Sequence, residues 1–142
     1  MRKRTLPVAE ARLLKALAHP VRLQIARIVG EEESCVCHLE ARTGLRQAYL
    51  SQQIGILREE GLLAERRVGT FVYYRLADPR VGDVITCVQR ITGAVGKPLL
   101  PLDPVRCSCP RCSDLAHHAS VSTGHGKSSR QRRAESERGP DS

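Results

Sequence analysis

The chain has 142 residues and a formal net charge of +8 at pH 7. That length supports one domain with tails, and the basic charge favours an anionic partner, with nucleic acid ahead of a membrane surface. Only 3% of the residues are aromatic and none is tryptophan, which disfavours a single-strand binder that stacks bases. Because no apolar run approaches ~18 residues, we expect no membrane-spanning segment.

The cysteines indicate a reducing compartment. The chain has six of them, and no apolar signal core follows its basic start, so we expect a cytoplasmic protein without a disulfide framework. In such a compartment clustered cysteines are typical of metal binding or redox chemistry. Two lie mid-chain, and three lie close together further on. These candidate ligands are Cys35, Cys37, Cys107, Cys109 and Cys112.

The first part of the chain predicts two helices after a basic arm over residues 1–7. Apolar residues at helical spacing predict the first helix over residues 8–17. Pro20 suits the first turn of the second helix, and Gly30 is its predicted end. The acidic run at residues 31–33 is expected to be a solvated loop; the alternative is that its three carboxylates raise the local concentration of cations.

A helix-turn-helix unit is predicted next. Ser34 is the expected N-cap of a short helix in which Cys35 and Cys37 are the first and third residues. Thr43 and Gly44 form the turn.

The second helix of this unit is predicted over residues 46–59, with Leu50, Ile54 and Leu57 facing the core. Its polar residues suit a recognition helix, since Arg pairs with guanine, Gln pairs with adenine and Ser can bind phosphate. The residues expected to be exposed and to contact DNA are Arg46, Gln47, Tyr49, Ser51, Gln52 and Gln53.

A basic β-hairpin is predicted after this helix, with strands over residues 62–67 and 71–76. Arg66, Arg67 and Arg75 make it basic. A basic hairpin after a recognition helix is a wing, which suits the phosphate backbone or the minor groove.

A last helix is predicted over residues 79–95, and it carries a narrow apolar stripe. On a terminal helix of so small a domain, such a stripe is best buried against a second copy. We therefore predict a homodimer through the N- and C-terminal helices, in which two recognition helices address the half-sites of an inverted repeat in double-stranded operator DNA. The predicted interface residues are Val84, Ile85, Val88 and Ile91.

The predicted fold is mainly α-helical with a small β-hairpin, arranged as a winged helix-turn-helix. DNA binding and dimerisation are assigned to residues 8–97 and candidate metal ligands to a Pro/Cys-rich segment over residues 98–112. The rest, residues 113–142, is predicted to be a disordered tail. The sequence has no evident Ser/His/Asp set, phosphate-binding glycine loop or paired-carboxylate pocket. We therefore expect neither an enzyme nor an organic cofactor.

Four stretches within residues 9–95 carry a family resemblance: LKALAHPVRLQIARIV, SCVCHL, LSQQIGILREEGLL and VGTFVYYRL. Together they resemble the ArsR/SmtB family of winged-helix metalloregulatory repressors. The resemblance implies a homodimeric repressor that leaves its operator when metal binds, with Cys35 and Cys37 as third-helix ligands. The related arsenite-sensing pattern has a third cysteine where this chain has Glu40. The family's dimer-helix zinc site uses Asp and His, and residues 79–95 contain no His.

The missing thiolates are therefore expected from Cys107, Cys109 and Cys112, supplied by the same subunit or by its partner. Residues i and i+2 point in nearly opposite directions on a regular helix. Hence either the first turn at Cys35 and Cys37 unwinds, or this pair sits just ahead of the helix. Thiolates select soft ions such as As(III), Cd(II), Pb(II), Zn(II) or Cu(I). Four sulfurs favour Zn(II) or Cd(II), whereas three favour As(III) or Pb(II).

Two other functions fit the same cysteines. In the first, the protein is a thiol redox sensor in which Cys109 and Cys112, at redox-motif spacing, pair with Cys35 or Cys37 on oxidation. In the second, the cysteines form a structural zinc site, and DNA binding requires the metal.

Overall fold

The computed structural model describes residues 6–97, 107, 109–111 and 113. Residues 1–5 of the predicted basic arm, Cys112 and the predicted tail beyond Ser113 lie outside the described residues. The elements in chain order are α1 (Val8–Leu17), α2 (Pro20–Glu31), β1 (Ser34–Cys35), α3 (Val36–Thr43), α4 (Gln47–Glu59), β2 (Leu63–Val68), β3 (Phe71–Leu76) and α5 (Arg80–Thr92). This architecture confirms the predicted winged helix-turn-helix. No helix within these ranges is long and apolar enough to cross a bilayer.

The helix α2 continues through Gly30, so the prediction that it ends at this glycine was wrong. The chain leaves the helix at Glu32, whose backbone is extended with φ −155° and ψ 145°. Gly30 instead marks a close approach between α2 and β3. A Cβ atom at this position would lie 3.1 Å from Leu76 Cδ1.

The sheet has a third strand that the sequence did not predict. Its order is β1-β3-β2, and the two-residue strand β1 pairs antiparallel with β3, placing Cys35 opposite Tyr73. The extended backbone of Cys35 makes it the N-cap of α3, and its Sγ accepts a hydrogen bond from the His38 N–H at 3.4 Å. The prediction of Ser34 as N-cap was therefore wrong. The Ser34 hydroxyl donates to the Glu32 carbonyl at 2.9 Å.

One core joins all five helices to the sheet. Leu50, Ile54 and Leu57 are at most 2% exposed, which confirms the predicted inner face of α4. Ile85, which the sequence analysis placed in the dimer interface, is only 5% exposed and lies in this core within a single chain. The apolar stripe on α5 is wide enough that its inner edge packs against the core of its own chain. The helix ends at Thr92, where Gly93 takes a left-handed conformation, and does not extend to residue 95.

We expect two glycines of the helix-turn-helix unit to respond oppositely to alanine. Gly44 ends α3 with φ +69°, so Gly44→Ala should lower the free energy of unfolding by about 1 kcal/mol. Gly55 lies inside α4, and no described atom comes within 4 Å of an added Cβ. Gly55→Ala should raise the free energy of unfolding by about 0.5–1 kcal/mol through helix propensity. Urea unfolding of both variants measures this, and a loss of stability in Gly55→Ala would reveal packing against a partner.

Candidate metal centre and nucleic-acid interface

Four cysteine sulfurs lie together at the start of α3. The Sγ atoms of Cys35, Cys37, Cys107 and Cys109 are all within 4.8 Å of one another. The Sγ–Sγ distance is 2.7 Å between the first two, 3.3 Å from Cys37 to Cys107, and 3.5 Å from Cys107 to Cys109. Sulfur ligands of a tetrahedral zinc ion lie about 3.8 Å apart when each Zn–S bond is about 2.3 Å. The four sulfurs therefore fit one thiophilic ion. We call them the cysteine cluster.

The local backbone explains how Cys35 and Cys37 reach one point. Cys35 belongs to the strand β1 and has φ −83° and ψ 167°, whereas Cys37 lies in the first turn of α3. The sulfurs can converge because only one of the two residues is helical. One predicted arrangement placed both residues just ahead of the helix. Cys35 agrees with it, and Cys37 does not. Cys107 and Cys109 of the same chain lie beside this pair, so a single chain can supply all four sulfurs.

The cysteine cluster is largely shielded from solvent. Cys35, Cys107 and Cys109 are at most 4% exposed, Cys37 is half-buried, and the buried ring of Tyr73 packs against them. Burial raises the pKa of the Cys35 thiol, and hydrogen bonds with Cys37 and Cys109 raise it further, while the His38 N–H opposes them. Burial therefore favours the neutral thiol at Cys35 until a cation supplies compensating charge.

Charged residues surround the cysteine cluster, and of these the sequence analysis considered only the acidic run at residues 31–33. His38 is buried with its Nε2 3.0 Å from Glu32 Oε1, and burial lowers the pKa of this imidazole. Arg111 Nη1 donates to the Glu33 carbonyl at 3.1 Å. The expectation of a merely solvated loop at residues 31–33 was wrong for Glu33, whose side chain is only 17% exposed. The available signals were the acidic run just before Cys35 and the arginine within Cys-Pro-Arg-Cys.

The candidate recognition helix α4 presents a polar surface. Gln53, however, is 8% exposed, and its Oε1 accepts a hydrogen bond from Arg22 Nη1 at 3.2 Å. The predicted exposure of Gln53 was wrong because Arg22 reaches it from α2 and also donates to the Ala16 carbonyl. The predicted DNA-contacting residues that are exposed at this helix are Arg46, Gln47, Tyr49, Ser51 and Gln52.

The wing arginines are in different settings. Arg67 and Arg75 are exposed, and Arg67 Nη2 lies 3.8 Å from Glu65 Oε1. Arg66 donates to Glu33 through Nε at 2.8 Å and Nη2 at 2.7 Å. Its guanidinium also lies 5.5 Å from the centroid of the Tyr73 ring. Arg66 is therefore engaged within the protein, which its position on the strand did not reveal.

Apolar side chains remain exposed on the first and last helices. Val84, Val88 and Ile91 of α5 are 37%, 43% and 84% exposed. Leu14 of α1 is 53% exposed. Cys87 is exposed on α5 and lies outside the cysteine cluster. These helices thus offer an exposed apolar surface of the kind expected for the predicted dimer, and Ile85 is not part of that surface.

Comparison with known proteins agrees with this architecture. Residues 19–65 match the sequence profile described as "Bacterial regulatory protein, arsR family". A protein named biofilm growth-associated repressor from Agrobacterium fabrum is 43% identical over 91 residues, which cover 64% of this chain and 76% of that protein. The chain belongs to the ArsR family.

Solved structures of similar proteins have the same fold. HlyU from Vibrio cholerae is 34% identical with a TM-score of 0.57, and the match covers 64% of this chain and 97% of HlyU. A second structure, from Mycobacterium bovis, is described as a homodimeric winged helix-turn-helix DNA-binding domain. It is 32% identical with a TM-score of 0.59, and the match covers 66% of this chain and 91% of that domain.

Neighbouring glutamines of α4 should separate structural from DNA-contacting roles. Gln53→Ala removes the buried acceptor of Arg22 and should lower the free energy of unfolding by about 1 kcal/mol. Gln52→Ala changes an exposed residue and should stay within about 0.5 kcal/mol of the wild-type stability. Urea unfolding tests both variants. Equal losses of stability would contradict the assignment of Gln53 to the link between α2 and α4.

Proposed function

We propose that this protein is a metal-responsive transcriptional repressor that binds operator DNA as a homodimer and releases it when a thiophilic ion is bound. The observation that carries the proposal is the set of four cysteine sulfurs within 4.8 Å of one another at the start of α3. Four sulfurs favour tetrahedral Zn(II) or Cd(II) over As(III) or Pb(II). The ligands would be Cys35, Cys37, Cys107 and Cys109. A bound ion would supply positive charge to these sulfur ligands.

The position of Cys35 supports coupling between this site and DNA. Cys35 pairs with Tyr73 of the wing strand β3 and also caps α3, the first helix of the helix-turn-helix unit. A change in the spacing of the four sulfurs therefore acts on two DNA-binding elements together. Weakening of operator binding by ~100-fold corresponds to about 2.7 kcal/mol of coupling, within the range usual for allosteric proteins.

The DNA-binding mode follows from the family and from the exposed surfaces. The N-terminal half of α4 would enter the major groove, and Arg67 and Arg75 of the wing would contact phosphates. Val84, Val88 and Ile91 would be covered by the second subunit, in keeping with the homodimer described for the Mycobacterium bovis domain. Two recognition helices then address half-sites of an inverted repeat.

Replacement of the α3 cysteines should uncouple metal from DNA. In Cys35→Ser/Cys37→Ser the ion loses two of four sulfur ligands, so thiolate-to-metal absorption on titration with Cd(II) should fall by about half or more. Operator binding without metal should remain, and release by Cd(II) should be lost in gel-shift titration. Cys87→Ser, which changes an exposed cysteine outside the cysteine cluster, is the control and should keep the wild-type absorption. Release from the double variant at wild-type Cd(II) concentrations would refute the proposed site.

A thiol redox sensor is the second candidate function. The specific observation in its favour is the close approach of the sulfurs, 2.7 Å between Cys35 and Cys37 and 3.3 Å between Cys37 and Cys107. A peroxide would be the oxidant: two thiols would lose two electrons and two protons to form a disulfide, and the peroxide would be reduced to two waters or to water and an alcohol.

Oxidant and metal should act differently on the same complex. We expect Cd(II) to release operator DNA in the presence of a non-chelating phosphine reductant, because thiolate ligation needs reduced sulfur. Peroxide should release no more than a small fraction of the bound operator DNA. Fluorescence anisotropy of labelled operator measures both. Release by peroxide alone would favour the redox sensor, and loss of DNA binding after chelation of a co-purified ion would favour a structural zinc site.

A further inference from the structure

Three charged residues connect the cysteine cluster to the wing. Arg111, two residues after Cys109, donates through Nη1 to the Glu33 carbonyl at 3.1 Å and lies 3.5 Å from Glu33 Oε2. The two oxygens of Glu33 in turn accept from Arg66 of β2 at 2.8 and 2.7 Å. We call these residues the arginine–glutamate chain. The sequence separates its members by 33 and 78 residues, counted from Glu33.

We propose that Glu33 holds Arg66 of the wing away from DNA phosphate while the segment carrying Cys107, Cys109 and Arg111 is docked on the cysteine cluster. This inference rests on the proposed function and names residues that transmit it. Both guanidinium donors that face Glu33 are occupied by its carboxylate, which, like a phosphate, offers two oxygens for a bidentate contact with arginine. The same two donors of Arg66 cannot bind the Glu33 carboxylate and a DNA phosphate at the same time.

The pair differs from an ordinary surface ion pair. The contact is bidentate, and the Glu33 side chain is 17% exposed while that of Arg66 is 54% exposed. The ring of Tyr73, which is buried against the cysteine cluster, lies 5.5 Å from the guanidinium and favours its position.

Docking of the C-terminal segment should strengthen this pair. Arg111 fixes the backbone carbonyl of Glu33, and it can do so only while its own segment lies against β1. When Cys107 and Cys109 leave the cluster, Arg111 leaves with them and Glu33 becomes better solvated. Ion pairs weaken as their charges are exposed to water. Arg66 then becomes available to DNA.

The other acids of the same loop contact different elements. Glu31 lies 3.5 Å from Arg42 Nη2, and Glu32 lies 3.0 Å from His38 Nε2; both partners belong to α3. Within the described residues, Glu33 is therefore the member of this run that is paired with the wing. Glu31→Gln removes the same charge two positions away and is a matched control.

The test compares operator affinity of the full-length protein with and without Cd(II) across a salt series. The variants are Glu33→Gln, Glu31→Gln, Arg66→Gln, Arg111→Gln and the double variant Glu33→Gln/Arg66→Gln. In the Cd(II)-loaded state, Glu33→Gln should bind about three- to ten-fold more tightly than wild type. Its salt slope should steepen by about 0.9 for each phosphate contact regained. Arg111→Gln should act in the same direction, and Glu31→Gln should match wild type.

The double variant decides whether the effect passes through the wing. Adding Glu33→Gln to Arg66→Gln should give no further gain in affinity, because the arginine that Glu33 restrains is already gone. A gain of equal size in both backgrounds would overturn the proposal, since a general charge effect would then explain it. Thiolate-to-metal absorption, measured on the same samples, should be unchanged in Glu33→Gln and shows that this variant is folded and loaded.

Failure of this proposal can be told apart from failure of the proposed function. If Cd(II) releases operator DNA equally from wild type and from Glu33→Gln, the proposed role of the arginine–glutamate chain is overturned and the metal response stands. If Cd(II) binds but does not release wild type, both are overturned. If Glu33→Gln neither folds nor binds Cd(II), Arg111→Gln decides the test instead. Equal release of operator DNA by Cd(II) from Arg111→Gln and from wild type would then overturn the proposed role of the arginine–glutamate chain.

Discussion

The structure depends on how Cys35 is held. Its backbone extends the sheet beside Tyr73, its Sγ accepts the His38 N–H that begins α3, and the same sulfur lies 2.7 Å from that of Cys37. One residue thus belongs to the wing sheet, to the cap of the helix-turn-helix unit and to the cysteine cluster. Because a strand and a helix cap both need the extended backbone seen at Cys35, the position of its sulfur is set by main-chain hydrogen bonds. The cluster is therefore part of the DNA-reading scaffold and not an addition to its surface.

The net charge of +8 overstates the positive charge that is available to DNA. Several arginines are held by acids from distant parts of the chain, as in the pairs of Arg12 with Glu60 at 3.1 Å and Arg66 with Glu33 at 2.7 Å. Such pairs cost a DNA-binding protein part of its affinity, since each restrained arginine neutralises one phosphate fewer. Where the acid lies next to an effector site, the same cost becomes a means of regulation.

The sequence predicted the fold because its signals were local. Apolar periodicity identified α4 and its inner residues, and proline placed the start of α2. Apart from helix ends, the main errors came from contacts between remote residues, which no local pattern encodes. Gln53 looks exposed until Arg22 reaches it, and Ser34 looks like a cap until β1 pairs with β3. Four cluster cysteines were identified by chemistry, but Glu33 and Arg111 were missed because 78 residues separate them.

One chain can supply all four sulfurs of the cysteine cluster, and this has a consequence for how a dimer would respond to a rising ion concentration. A dimer with one such site in each subunit would fill the two sites one at a time, so a singly occupied dimer would stand between the empty and full forms. The steepness of the transcriptional response then depends on whether one filled subunit suffices to free the promoter. A repressor that needs both subunits filled would not respond to low concentrations of metal, whereas one that needs a single filled subunit would respond to them.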